Sequence, residues 1–171
     1  MLTIYTRSVL ESFGQQITQQ LVEAIKTKPV SNFGTSPVNA SGNLARSVRY
    51  EVDDDGVTIY AAEYVYYLEY GRMPTRNGGD GTLYDRIYQW ITDKGIAPDT
   101  EQEHKSMAFA ITKTIHAKGT TIYREHRGKP SGLLSDIITG SALERLRQQL
   151  VPKLVDQVVS VILKDFNSSA L

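Results

Sequence analysis

Val48-Arg49-Tyr50-Glu51-Val52-Asp53-Asp54-Asp55-Gly56-Val57-Thr58-Ile59-Tyr60-Ala61 is the stretch on which the fold turns. Val48 to Val52 alternates apolar and polar residues, and Val57 to Ala61 alternates again, the period of a strand with one covered face. Asp53-Asp54-Asp55-Gly56 between them is a turn, and its Asp-Gly step supplies the positive φ that a tight reversal needs. The stretch predicts a two-stranded antiparallel hairpin. Such a hairpin is marginal alone, so it must pack on helices or pair with strands of neighbouring subunits.

The flanks supply helices. Upstream, Leu10, Phe13, Ile17, Leu21 and Ile25 recur at helical spacing, with Gln15, Gln16, Gln19, Gln20 and Glu23 filling much of the remainder. This predicts an amphipathic N-terminal helix over about 6–26, ended by Pro29. A polar connector follows to residue 42, then a helical turn at 43–47. Downstream, Glu63-Tyr64-Val65-Tyr66-Tyr67-Leu68-Glu69-Tyr70 reads as a short helix closed by Gly71. It carries four of the ten tyrosines. Eight residues cannot bury four tyrosines on one face, so some must lie on the surface or at an interface.

Farther along, Thr82 is the expected N-cap of a helix to about Lys94, with Leu83, Ile87, Trp90 and Ile91 as its apolar face. A second helix is expected over about 101–117, with Met107, Ala108, Ile111 and Ile115 inward. Loops are expected at 29–42, 72–82 and 119–132. A long C-terminal helix is expected from about Leu133, its face running Leu143, Leu146, Leu150, Leu154, Val158 and Ile162. Pro152 predicts a kink or break near Leu150. The fold class is therefore α+β: one small antiparallel sheet among several helices. At 171 residues the chain suits a single domain.

Composition narrows function. Nineteen basic residues against nineteen acidic give a net charge near zero, where a dedicated nucleic-acid binder usually shows a basic excess. The absence of cysteine removes disulfides, thiolate zinc sites and cysteine nucleophiles together. No signal peptide is read at the N-terminus and no run approaches a membrane span, so a cytoplasmic site of synthesis is expected.

No catalytic pattern stands out. His104 and His116 lie about 120° apart on a helix with no carboxylate at metal-ligand spacing, and with His126 they read as solvated or capping residues. Asp53, Asp54 and Asp55 lack the twelve-residue spread of a calcium loop. Gly78-Gly79-Asp80-Gly81 lacks the Lys-Ser/Thr pair and strand context of a phosphate cradle. Glu63 and Glu69 could be argued as a glycosidase pair; two surface carboxylates is the plainer reading. Neither a catalytic residue nor a cofactor or metal site is expected. Lys113, Lys118, Tyr123, Arg124, Arg127 and Lys129 form a locally basic segment that could touch nucleic acid or an acidic protein partner.

Residues 40–74 resemble a known family. Gly42-Asn43-Leu44-Ala45-Arg46-Ser47-Val48 looks like the G-x-L-x-x-S-I/V element of the bacteriophage tail-component and tail-completion proteins. A hairpin follows in that family, and then a signature that reads here Ala62-Glu63-Tyr64-Val65-Tyr66-Tyr67-Leu68-Glu69-Tyr70-Gly71-Arg72-Met73-Pro74. Arg72 stands where the family often has threonine, and residues 90–131 are longer than in compact members. The resemblance implies a non-enzymatic structural subunit of the virion, assembled in the bacterial host cytoplasm. It would sit in a hexameric or dodecameric ring at the head–tail junction or proximal tail. There it would touch copies of itself, the adjacent connector and tail proteins, and DNA in the channel, with no membrane. On that reading the expected interface comprises Tyr64, Tyr66, Tyr67, Leu68, Tyr70, Arg72, Tyr123, Arg124 and Arg127. The alternative is a small nucleic-acid-binding protein using the basic segment over 113–129.

Overall fold

The computed structural model describes residues 4–31, 40–54, 56–75 and 81–168. Its order is α1 (Ile4–Thr27), α2 (Asn43–Ser47), β1 (Arg49–Val52), β2 (Val57–Tyr60), α3 (Val65–Tyr70), α4 (Thr82–Asp93), α5 (Glu101–Lys118), α6 (Thr121–His126) and α7 (Gly140–Ser168). The fold is α+β and mostly helical, as the sequence predicts.

The strands pair antiparallel with Arg49 opposite Tyr60 and Val52 opposite Val57. The turn is closed from both sides: Asp53 N–H donates to Gly56 O, and Gly56 N–H donates to Asp53 Oδ1, each at 3.0 Å. The hairpin packs on α1. Gly14 makes that approach possible. A Cβ there would lie 2.6 Å from Tyr50 Cδ2 and 2.9 Å from Val57 Cγ2, so the sheet rests directly on helix backbone. On the outer face the Arg49 guanidinium stacks 4.1 Å above the Tyr60 ring.

Leu10, Ile17, Leu21 and Ile25 of α1 are buried, and the predicted Phe13 is half-buried. Leu21 and Ile25 join Val30, Leu44, Ala45, Val65 and Leu133 in the main core, with Leu68, Ile122, Leu134 and Ile137 packed around it. α4 packs against α5, and Ile91 and Ala108, one from each helix, are both 0% exposed.

Four expectations need correction. Gly81, left-handed at φ 89°, precedes α4 without a side-chain cap, so Thr82 is the first helical residue rather than the N-cap. The predicted loop over 119–132 contains α6, started by Thr120, whose hydroxyl accepts from Tyr123 N–H at 3.3 Å. The C-terminal helix begins at Gly140, not near Leu133. Residues 133–138 form turns, and Thr139 Oγ1 accepts from Ala142 N–H at 3.1 Å. Of the kink or break expected near Leu150, the break is absent: α7 is one helix through Pro152. Residues 32–39, Asp55 and 76–80, which include much of two predicted loops, lie outside the described residues.

Candidate functional site

α3 sorts its side chains by helical spacing. Val65 and Glu69 are buried, and Leu68 packs on the core. The four tyrosines point outward: Tyr64 is 39% exposed, Tyr66 61%, Tyr67 44% and Tyr70 43%. Met73, 64% exposed, extends the apolar surface beyond the helix. Burial raises the Tyr64 phenol above its ordinary value, an effect partly opposed by the nearby Arg46 cation.

Glu69 holds this helix in place. It is 0% exposed, which corrects the reading of it as a surface carboxylate. Burying a carboxylate is costly unless protein donors replace water, and here they do. Leu134 N–H donates to Oε2 at 2.8 Å and Ser135 N–H to Oε1 at 3.1 Å. Glu69 thus caps the turns over 133–138 from a distant helix. The backbone reinforces the joint: Ser131 N–H donates to Glu69 O at 2.7 Å, and Ser131 Oγ donates to Leu68 O at 2.9 Å. Lys28 Nζ closes the same turn by bonding Gly132 O at 2.8 Å and pairing with Asp136. With its oxygens so occupied Glu69 cannot act in a glycosidase pair with the exposed Glu63.

The segment after α3 is stitched along its length. Arg72 N–H donates to Thr120 Oγ1 at 2.8 Å, Thr120 N–H donates to Arg72 O at 2.9 Å, and Thr75 N–H donates to His116 O at 2.9 Å. Gly71 is left-handed at φ 73°, and a Cβ there would lie 2.5 Å from Tyr123 Cα. Gly119 faces the same crossing, where a Cβ would lie 2.7 Å from Arg72 O. These two glycines let α6 lie against the 71–75 segment.

The nine predicted interface residues therefore divide. Tyr64, Tyr66, Tyr67, Tyr70, Arg124 and Arg127 are exposed, whereas Leu68, Arg72 and Tyr123 are half-buried at packing positions. Arg72 Nη1 is buried without a hydrogen-bond partner. Arg127 is a left-handed cap at φ 53°, its N–H donating to Tyr123 O at 2.8 Å. Lys113, Lys118 and Lys129 are exposed.

The histidines are structural, and His104 is buried rather than solvated. Its ring stacks on Tyr88 at 3.7 Å between centroids, and Nε2 donates to Tyr88 O at 3.1 Å. His126 Nε2 donates to Val30 O at 3.2 Å, and His116 Nδ1 pairs with Thr75 Oγ1. Among the described residues no group of three His, Asp or Glu side chains could hold a metal ion, and no helix is long and apolar enough to cross a membrane.

One feature has no signature in the sequence. A groove of about 750 Å³ separates the α4–α5 pair from α3 and α6, lined by Val30, Leu68, Ile87, Ile111, Ile115 and Ile122 among others. Tyr67, Leu68 and Trp90 also border a second hollow of about 640 Å³ that reaches Tyr64 and Glu63. Among the described residues, the charged side chains lining the larger groove are Lys94 and Arg124. It is an apolar trough.

No protein-family model matches the chain, and no curated protein or solved structure matches it.

Proposed function

We propose that the chain is a structural subunit of a tailed-phage virion, a tail-completion or neck protein that forms a ring between the head-side connector and the tail. The observation that carries the reading is α3. Tyr66, Tyr67 and Tyr70 on a six-residue helix, with Tyr64 at its N-cap, are held outward, and the helix's inner side is fixed by a buried carboxylate. Tyrosine is enriched at protein interfaces, because it brings large area with few rotatable bonds. A rigid platform suits repeated docking, since little ordering entropy remains to be lost on assembly. The signature over 62–74 supports the same reading, and its Glu69 and Gly71 are the residues that fix the platform.

Antibody labelling of purified particles, viewed by negative-stain microscopy, tests it. Label at the head–tail junction is the expected result; protein confined to the lysate and absent from particles overturns it. Tyr66→Ala is the better genetic probe. Leu68→Asp would disturb the core, whereas Tyr66 is the most exposed of the four. Heads and tails that form but fail to join are expected, and fully infectious particles would count against the assignment.

The exposed Lys113, Lys118, Arg124, Arg127 and Lys129 favour a second reading, contact with nucleic acid. Gel shifts at rising salt test it, because phosphate contacts weaken steeply with ionic strength.

A further inference from the structure

The main core draws on Leu21, Ile25, Leu44, Val65 and Leu133, and among the described residues no side chain from 82–118 belongs to it. α4 and α5 pack chiefly on each other instead. Ile91 of one and Ala108 of the other are fully buried, and the His104 ring of α5 stacks on Tyr88 of α4. The two helices thus hold together as one lobe.

The lobe is tied to the rest of the chain at its base. Thr75 N–H donates to His116 O, and Arg72 and Thr120 bond each other twice. Gly119 leaves α5 at φ 78° and ψ 176°, a region essentially reserved for glycine, and Tyr123 packs on both Gly71 and Gly119. Beyond the base the boundary is hollow: the groove of about 750 Å³ and the second hollow of about 640 Å³ lie along it. A packed interior leaves few voids larger than a water molecule, so along these hollows no interlocking of side chains sets the lobe's angle. The facing walls are apolar, Ile87, Ile111 and Ile115 on the lobe and Leu68 and Ile122 opposite. Narrowing the gap between them therefore removes apolar area from water.

We propose that α4–α5 is a hinged lobe, turning as one body about the crossing of 71–75 with 116–120 and so widening and narrowing the hollows beside Trp90. The pivot has the form of a domain hinge: a few residues at the ends of elements, glycine among them, take up the backbone change while the helix pair stays intact. Burial of the apolar walls favours the narrow state, and the bonds at the base limit the swing. The hinge follows from the packing of this chain alone and stands apart from the neck reading, so either can fail without the other.

The chain has no cysteine and a single tryptophan, which makes the test direct. Spin labels at Glu63→Cys and Asp93→Cys border the second hollow from its two sides. Labels at Asp85→Cys and Ser106→Cys both lie within the lobe, on exposed positions. Pulsed electron paramagnetic resonance is expected to give two distances for the first pair and one for the second. Sodium sulfate, which strengthens apolar burial, should raise the shorter-distance population of the first pair and leave the second unchanged. It should also reduce acrylamide quenching of Trp90, which borders both hollows, relative to free N-acetyltryptophanamide. One narrow distance for the first pair, unmoved by sulfate, overturns the inference, because the lobe is then fixed. Two distances for the second pair also overturn it, because α4 and α5 then part instead of turning together. Circular dichroism verifies that each labelled variant is folded; if the first pair misfolds, Asn43→Cys with Gln89→Cys replaces it across the same hollow, with the same outcomes.

Discussion

Glu69 is the residue on which the candidate site depends most. Glu69→Gln keeps the volume but replaces one acceptor oxygen by an amide donor facing backbone N–H groups. The loss should be about 2–3 kcal/mol, the scale of a charge-assisted hydrogen bond and a buried donor left unpaired; urea unfolding measures it. Arg127 makes the opposite case. A non-glycine residue in left-handed geometry carries about 1 kcal/mol of strain, so Arg127→Gly should raise the urea midpoint while removing a positive charge. Loss of stability would mean that the side chain holds the fold. Tyr64 has a pH signature. Its phenol is raised by burial, so the neutral form is favoured in the folded state. That contribution is complete below the ordinary value of 10.0 and is lost as pH rises through the raised folded value. Tyr64→Phe should flatten the alkaline decline in thermal stability; an unchanged decline would place the titration elsewhere.

At the scale of elements, the contact of α1 with the hairpin sets two effects against each other. Gly14→Ala improves helix propensity by about 1 kcal/mol, yet its methyl would collide with the Tyr50 ring and Val57, and overpacking costs about 1–3 kcal/mol. Net destabilisation is expected, read as a lower urea midpoint. Pro152 lies within the continuous α7 and removes one helical hydrogen bond at about 3 kcal/mol. Pro152→Ala should slow amide exchange in the turns on either side of residue 152. The hairpin and α1 were legible in the sequence because their signals are local: period-two alternation with Asp-Gly, and apolar spacing of three and four. α6 was hidden because its six residues hold one aliphatic side chain, Ile122, and so show no apolar period; Thr120 was the available clue. The anchoring of Glu69 had no signature at all. Its partners are backbone N–H groups 65 and 66 residues away, which any sequence at 134–135 other than proline would provide. The groove was equally silent, since it arises from how four helices meet.

For the whole molecule, α7 packs on α1 and also carries exposed residues over 151–156. Residues 151–156 and 158–160 of it are exposed, so a chain ending at Leu150 should unfold at nearly the wild-type urea concentration. A large drop in midpoint would show that the distal half supports the core. The long reach of Glu69 bears on synthesis. The ribosome completes α3 some sixty residues before Ser131, Leu134 and Ser135 exist to receive it. Until those residues emerge, the carboxylate stays in water and the tyrosines have no fixed direction. A nascent chain that stops short of Ser135 thus lacks the docking platform, and copies become competent to join one another only once residues 131–135 have been made.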